Sequence, residues 1–248
     1  MALVGGGVVL LAALLFFSLR KKQSQIKDFD VEIQHLAGSD NDLIKEKDIK
    51  EIVRKAFSTN LAEARVEQVD VARIEQVLRQ DPFIENAESF VDASNNLHIK
   101  IKQREPLLRV IDNSGLNYYL DQNGIRMPLS KYFSARVPIV TGAVAPYVND
   151  FLLRKKYNLK DVYDLVKRLN ADPFFAPMIQ QINIDAAGEF TLIPILGDQK
   201  IRIGTIDDLD EKLERLKVFY REAMPYEGWQ KFETISVKYK NQIVCKKK

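Results

Sequence analysis

The chain has 248 residues, of which 46% are hydrophobic and 29% charged. These values are ordinary for a globular protein and exclude a chain that is disordered or of low complexity throughout. The 37 basic and 34 acidic residues leave a formal net charge of only +3, which gives no reason to expect a nucleic-acid partner. One cysteine, Cys245, excludes a disulfide framework and a zinc site built on several thiolates.

The first 19 residues carry no charged side chain, and Arg20, Lys21 and Lys22 follow them directly. A helix of this length, at about 1.5 Å per residue, spans roughly 28 Å, close to the thickness of a bilayer's hydrocarbon core. We therefore predict a membrane anchor over residues 1–19 and a juxtamembrane linker over 20–28. A cleaved signal peptide is disfavoured because its charges would precede the apolar run, and a buried core helix is rarely apolar on every face.

The next 75 residues or so predict a small α+β domain. Its elements are a strand over 27–36, helices over 47–57 and 71–79, and strands over 84–91 and 97–102. The first strand is indicated by Phe29, Val31 and Ile33, which alternate with polar residues. Asp70 is the expected N-cap of the second helix. In the order β-α-α-β-β, the two helices can cover one face of the sheet.

Beyond the junction at residues 104–106, the sequence predicts a mixed β domain. Its expected elements are strands over 107–111, 116–120 and 137–141, a helix over 151–169, strands over 179–184, 190–196 and 200–203, a helix over 209–223, and a closing strand over 234–246. Gly197 and Asp198 are typical of a two-residue hairpin turn. We place the boundary between the two domains at residues 105 and 106.

Several motifs occur in an order that is more specific than any one of them. They are residues 69–84 with the step Asp81-Pro82-Phe83, residues 97–106 ending in Glu105-Pro106, the pair of segments 119–124 and 137–142, and the final segment 235–239. Together they resemble the FtsQ/DivIB family of bacterial cell-division proteins. The resemblance covers almost the whole chain.

The resemblance implies an α+β chain with a single N-terminal transmembrane helix, a POTRA domain over 29–105 and a mixed β-sheet domain with packed helices over 106–248. It also implies an N-terminus in the cytoplasm, the bulk of the chain in the periplasm, and a place at the division septum. Arg20, Lys21 and Lys22 alone would favour a cytoplasmic domain. We expect the family's orientation, on the hypothesis that the sequence starts late and lacks compensating charges.

As a member of this family, the chain would be a scaffold and not an enzyme. The implied partners are FtsB-like and FtsL-like division proteins and other membrane proteins of the divisome, with no cofactor and no small-molecule substrate. A strand at a sheet edge offers unpaired main-chain groups to a partner strand, so we predict a docking strand over 234–243 with Tyr239 as its main anchor. The predicted partner-binding residues are Ile235, Ser236, Val237, Lys238, Tyr239, Lys240, Asn241 and Ile243. The alternative is an ordinary strand whose apolar side is core.

Other functions can be weighed on the same residues. The two histidines, His35 and His98, lie in separate predicted strands, and no Gly-x-Ser-x-Gly motif is present. Residues 121–124 lack the spacing of a calcium loop and predict a hairpin turn. A POTRA-bearing assembly or secretion component should show a long series of barrel strands, and a membrane-anchored envelope hydrolase should show clustered catalytic residues. Neither feature is found in the sequence.

Overall fold

The computed structural model describes residues 24–57 and 64–248. The predicted anchor over residues 1–19 lies outside the described residues. Within the described ranges, none of the helices combines the length and hydropathy of a membrane span. The chain divides into two units: the first ends at Glu105 and also includes Ser130–Ser134, and the second comprises Pro106–Leu129 and Ala135–Lys248.

The first unit has the predicted β-α-α-β-β order. Its elements are β1 (Asp28–Gln34), α1 (Glu46–Phe57), α2 (Val71–Leu78), β2 (Ile84–Val91) and β3 (Asn96–Gln103). In the described residues these strands form a sheet in the order β1-β3-β2, with β1 parallel and β2 antiparallel to β3. Asp70 caps α2 as expected, since its carboxylate accepts a hydrogen bond from the Arg73 N–H at 3.0 Å.

The apolar faces of the two helices cover one side of this sheet. Ile49 and Val53 of α1 and Ile74 of α2 are fully buried in one cluster with residues of β3 such as Ile99. The segment Ser130–Ser134 joins this unit: the Ser130 hydroxyl donates to the Leu43 carbonyl at 2.5 Å, and Tyr132 and Lys131 both donate to Asp48 at 3.0 Å.

The second unit is one large sheet with helices. Its elements are β4 (Pro106–Asp112), β5 (Asn117–Asp121), β6 (Arg126–Met127), β7 (Ile139–Gly142), α3 (Asn158–Asn170), β8 (Ile179–Ile184), β9 (Phe190–Pro194), β10 (Lys200–Gly204), α4 (Leu209–Glu222), α5 (Met224–Glu227), β11 (Phe232–Ser236) and β12 (Val244–Lys247). Across the described residues the strand order is β12-β11-β10-β9-β8-β7-β4-β5-β6. The apolar stripes of α3 and α4, including Val162, Val166, Leu213 and Leu216, share one buried cluster with strand residues.

The predicted helix over 151–169 is wrong in its first part. A short 3-10 turn, Phe151–Leu153, is followed by extended backbone at Arg154 and a positive φ of 52° at Lys156. The helix itself starts at Asn158, whose side chain accepts from the Ala145 N–H and donates to the Ala143 carbonyl, both at 2.7 Å. These bonds to the preceding loop favour a helix start at this point.

The predicted two-residue hairpin at Gly197 and Asp198 is also wrong. β9 ends at Pro194 and β10 begins at Lys200, so five residues connect them. The amide of Gln199 donates to the hydroxyl of Tyr220 at 2.9 Å and to the Leu196 carbonyl at 3.3 Å. The Gln199 side chain thus holds the five-residue loop against α4. A two-residue turn would not allow this contact.

The third correction concerns the closing strand over 234–246. The structure divides it into β11, which ends at Ser236, and β12, which begins at Val244, and the two strands pair antiparallel. The intervening loop reverses direction, with Asn241 at a positive φ of 58°. Asparagine tolerates this backbone conformation better than most residues. The chain therefore ends in a hairpin and not in one long strand.

One prediction follows from the turn between β2 and β3. The carboxylate of Asp92 accepts hydrogen bonds from the Asn96 N–H, the His98 ring and the Ser94 N–H, and these bonds, the Asn96 N–H first, lower the pKa of Asp92 to about 2. An unfolded aspartate has a pKa of about 3.9. The stabilisation from Asp92 is therefore fully present above that pH and is lost as the pH falls towards about 2.

Asp92→Ala should thus lower the urea midpoint of the first unit at pH 7, and the difference from wild type should shrink between about pH 4 and pH 2. The measurement is urea unfolding of the full chain followed at the amide resonances of β2 and β3. Asp40→Ala, at an exposed turn position, is the control. A difference that stays constant down to pH 2 would contradict the assignment.

Candidate functional site

The outer side of β12 is an open sheet edge. β12 is the terminal strand of the sheet order, and its inner side pairs with β11 in the register Ile235↔Cys245 and Ser236↔Val244. Within the residues that the structure describes, nothing pairs with the opposite side. An edge of this kind presents main-chain N–H and C=O groups to solvent or to a partner strand.

The main-chain hydrogen bonds show which groups of β12 face outward. The Lys248 N–H donates inward to the Lys231 carbonyl at 3.1 Å. In an antiparallel pair, alternate residues point their main-chain groups to opposite sides, so Lys246 and Val244 also point inward. Cys245 and Lys247 therefore direct their N–H and C=O groups to the open edge.

The neighbouring strand β11 gives an independent check of this alternation. The Val237 N–H donates to the Arg202 carbonyl of β10 at 3.0 Å, so Ile235 also faces β10 and Ser236 faces β12. Ser236 and Val244 are register partners, and both point their main-chain groups towards each other. The two observations agree on which residues of β12 point their main-chain groups outward.

The predicted partner-binding residues fall into two groups. Ile235 and Val237 are fully buried and Ser236 is 8% exposed, because they belong to an interior strand and its continuation. Lys238, Tyr239, Lys240 and Asn241 are exposed, and Ile243 is half-buried. The structure therefore does not place all eight on one edge strand; it places the last five in the loop that leads into β12.

Lys238 is tied to the sheet and is not a free cation. Its ammonium pairs with the carboxylate of Glu189. Its aliphatic stem packs on Gly204, where an added Cβ would come within 2.9 Å of the Lys238 Cγ. Gly204 also has a φ of +72°, so both backbone geometry and this close approach favour glycine at that position.

The loop between β11 and β12 is held by α4. The guanidinium of Arg215 donates to the carbonyls of Val237 at 3.2 Å and Tyr239 at 3.3 Å. Tyr239 itself is 50% exposed. A fastened loop with a half-exposed aromatic ring can offer contact area at little further cost in conformational entropy.

The side chains of β12 alternate between the two faces of the sheet. Cys245 lies opposite the buried Ile235 and is half-buried, whereas Lys246 lies on the other face and pairs with Glu233 at 2.6 Å. Burial, and then the Glu227 carboxylate, raise the pKa of the Cys245 thiol. The neutral thiol form is therefore favoured, and this form is a poor nucleophile and metal ligand.

A groove beside the edge was not predicted from the sequence. It has a volume of about 670 Å³ and is lined by Glu211, Glu214, Arg215, Val218, Phe219, Glu222, Ala223, Asn241, Gln242 and Ile243. One signal was available in the sequence: Val218 is an apolar residue off the helical spacing of Leu213 and Leu216. The structure leaves it 49% exposed. The groove therefore lies between α4 and the end of the β11–β12 loop.

The two histidines lie beside carboxylates of the first unit. His35 pairs with Asp42 at 2.9 Å, and His98 lies between Asp92 at 3.1 Å and Asp30 at 3.7 Å. Among the described residues, no group of three or more His, Cys, Asp or Glu side chains is arranged to hold a metal ion.

The chain matches two family models. The model described as FtsQ/DivIB, C-terminal related, matches residues 105–246, and a POTRA-like domain matches residues 25–102. A curated relative, the cell division protein FtsQ of Rhodothermus marinus, is 28% identical over 187 residues, which cover 72% of this chain and 66% of the relative. The match thus covers slightly less than two thirds of the relative's length. Because the first model alone covers more than half of the chain, the protein belongs to the FtsQ/DivIB family and carries a POTRA-like domain ahead of its FtsQ/DivIB-related C-terminal region.

Proposed function

We propose that this protein is a non-catalytic scaffold of the bacterial division machinery and binds partner proteins through the β12 edge. The apolar residues 1–19 would serve as a single-pass anchor in the cytoplasmic membrane, followed by a linker over 20–28. A POTRA domain over 29–105 and a β domain over 106–248 would lie in the periplasm at the division septum. The partners would be FtsB-like and FtsL-like proteins and other membrane proteins of the divisome.

The observation that carries this proposal is the open edge of β12. Cys245 and Lys247 point main-chain donors and acceptors outward from a nine-stranded sheet of the described residues. Addition of a partner strand would satisfy these groups without rearrangement of the sheet. The edge also lies in the region that matches the FtsQ/DivIB model.

Of the predicted contact residues, those in the loop fit this function best. Tyr239 and Lys240 are exposed beside the start of β12, and Ile243 immediately precedes it. Ile235, Ser236 and Val237 would contribute by supporting β12 from within the sheet. Lys238 would contribute less charge than its exposure suggests, since it already pairs with Glu189.

Strand addition at β12 can be tested by removing the outward N–H of Cys245. Cys245→Pro removes this outward donor and leaves the inward bonds of Val244 and Lys246 in place, because proline is tolerated at edge positions whose N–H faces solvent. We expect at least tenfold weaker binding of FtsB-like and FtsL-like proteins from the same bacterium. The measurement is a titration of the partners into the full chain in detergent.

Cys245→Val keeps the N–H and a side chain of similar size, and it should bind as the wild type does. Circular dichroism and the thermal midpoint would show that both variants fold. If Cys245→Pro folds and binds the partners with wild-type affinity, strand addition at β12 is wrong.

Tyr239 provides a side-chain test of the same interface. Tyr239→Ala removes a half-exposed ring whose truncation leaves the buried cluster intact, so we expect weaker partner binding by about fivefold to tenfold and an unchanged thermal midpoint. The matched control is Phe90→Ala, which truncates a ring of similar exposure, 46% against 50%, in the first unit. Equal affinities of the two variants would count against Tyr239 as an anchor.

A further inference from the structure

The second unit carries exposed apolar and aromatic side chains at one end of its sheet. Ile195 and Leu196, in the loop between β9 and β10, are 63% and 60% exposed. Trp229, just before β11, and Tyr226 of α5 are exposed as well. We call these four residues the apolar patch. Grouped apolar side chains on a surface mark a contact with another macromolecule or with a membrane.

The apolar patch borders a shallow pocket of about 260 Å³. Ile195, Leu196 and Trp229 line this pocket together with Phe174, Met178 and Tyr220. Tyr220 is buried, and its ring centroid lies 5.7 Å from that of Trp229. Pockets that enclose a drug-sized ligand usually measure about 300–1,000 Å³ and contain a few convergent polar groups. This apolar hollow is smaller, so it suits contact with a surface better than enclosure of a small molecule.

The apolar patch lies at the end of the sheet where the chain enters the second unit. β4, β7 and β8 run parallel, so Pro106 at the start of β4 and Ile179 at the start of β8 lie at the same end. Ile179 pairs with Pro194, which directly precedes Ile195. The β11–β12 loop leaves the sheet at the opposite end, because β11 is parallel to β10 and ends at Ser236.

Some of the charges around the apolar patch are balanced within the unit. Lys231 pairs with the carboxylate of Glu227, and Lys248 pairs with that of Asp198 at 2.9 Å. Glu227 lies on α5 beside Tyr226, and Asp198 lies in the same loop as Ile195 and Leu196. These pairs leave little net charge on the segments that carry the patch.

Three further cations give this end of the sheet a positive surplus. Arg221, Lys200 and Lys247 are exposed and form no ion pair within the described ranges. Arg221 lies over the ring of Phe174, at 5.7 Å from its centroid. Glu222 is a neighbouring carboxylate that lines the groove beside α4. The surplus attracts an anionic surface.

We propose that the apolar patch is a second membrane contact of this chain and docks the second unit on a lipid surface with anionic headgroups. Tryptophan and tyrosine favour the membrane interface, and Ile195 and Leu196 would reach below the headgroups. A protein partner is disfavoured because protein interfaces are depleted in lysine. The inference rests on the proposed anchor over residues 1–19, which would hold the lipid surface within reach at high effective concentration.

The fluorescence of Trp229 tests this contact directly, because Trp229 is the single tryptophan of the sequence. The full chain is added to vesicles of phosphatidylcholine with or without phosphatidylglycerol, and quenching by lipids brominated near the headgroup is measured against the same vesicles without bromine. We expect a blue shift and quenching that is about twofold stronger with phosphatidylglycerol. No quenching, or equal quenching in the two kinds of vesicle, would overturn the proposal.

Polar substitutions locate the contact. Ile195→Asn combined with Leu196→Asn removes two exposed apolar side chains and should reduce the quenching by about threefold. Leu116→Asn combined with Leu153→Asn replaces exposed leucines elsewhere in the same unit and should leave the quenching unchanged. Thermal midpoints from circular dichroism would show that both variants fold. An equal reduction by the two pairs would overturn the proposal.

Charge reversals test the part played by the cations. Arg221→Glu combined with Lys247→Glu should lower the quenching with phosphatidylglycerol to the value for phosphatidylcholine alone. Lys155→Glu combined with Lys156→Glu changes the net charge equally at exposed loop positions and should leave the lipid preference intact. Loss of the preference in this control would overturn the proposal, since the effect would then follow overall charge.

Further results separate this contact from the other proposed ones. A chain that floats with the vesicles but shows no quenching of Trp229 keeps the anchor and defeats the membrane contact, whereas a chain that does not float defeats both. Cys245→Pro should be quenched as the wild type is, so strand addition at β12 fails or holds independently. In detergent without vesicles, a blue shift that grows with protein concentration would identify a second copy of this chain as the occupant and overturn the proposal.

Discussion

The antiparallel pairing of β11 with β12 is the interaction on which the proposed function depends. It turns β11 into an interior strand, and Ile235 of β11 and Val237 just after it are fully buried. It also transfers the open edge to Val244–Lys247, where Cys245 and Lys247 point outward. The same hairpin brings Asn241, Gln242 and Ile243 against α4 and so closes one side of the acidic groove. Without this pairing, neither the edge nor the groove would have its present form.

Hydrogen bonds from side chains of α4 explain how the short terminal strand keeps its position. Arg215 binds two carbonyls of the β11–β12 loop, and Tyr220 accepts from Gln199 in the loop before β10. α4 thus holds both the loop before β10 and the loop after β11. Its inner face lies in the common core through Leu213 and Leu216. The outer face of the same helix lines the groove beside the β11–β12 loop.

Much of the fold could be predicted because its signals are local. The alternation at Phe29, Val31 and Ile33 and the N-cap at Asp70 follow from strand and helix geometry alone, and both are found in the structure. The errors arose where a distant contact decides the local backbone. Asn158 is positioned by bonds to Ala143 and Ala145, and Gln199 by Tyr220. No short window of sequence contains both members of these pairs.

The predicted closing strand, which carried the predicted partner-binding residues, is a hairpin in the structure. The alternation of Ile235, Val237 and Tyr239 predicts a strand, but only Ile235 lies in β11, which ends at Ser236, because the chain turns back at Asn241. The open edge therefore belongs to a strand of only four residues, which is too short for a periodicity argument. The acidic groove depends on the approach of residues 241–243 to α4, a tertiary contact that composition and periodicity do not indicate.

The central claim is that β12 receives a partner strand, and amide hydrogen exchange read residue by residue tests it most directly. In the free full chain, the amides of Val244 and Lys246 should exchange slowly, and those of Cys245 and Lys247 should exchange fast. On binding of an FtsB-like partner, protection should appear at Cys245 and Lys247 specifically. Partner binding that leaves these two amides as exposed as in the free chain would contradict the account.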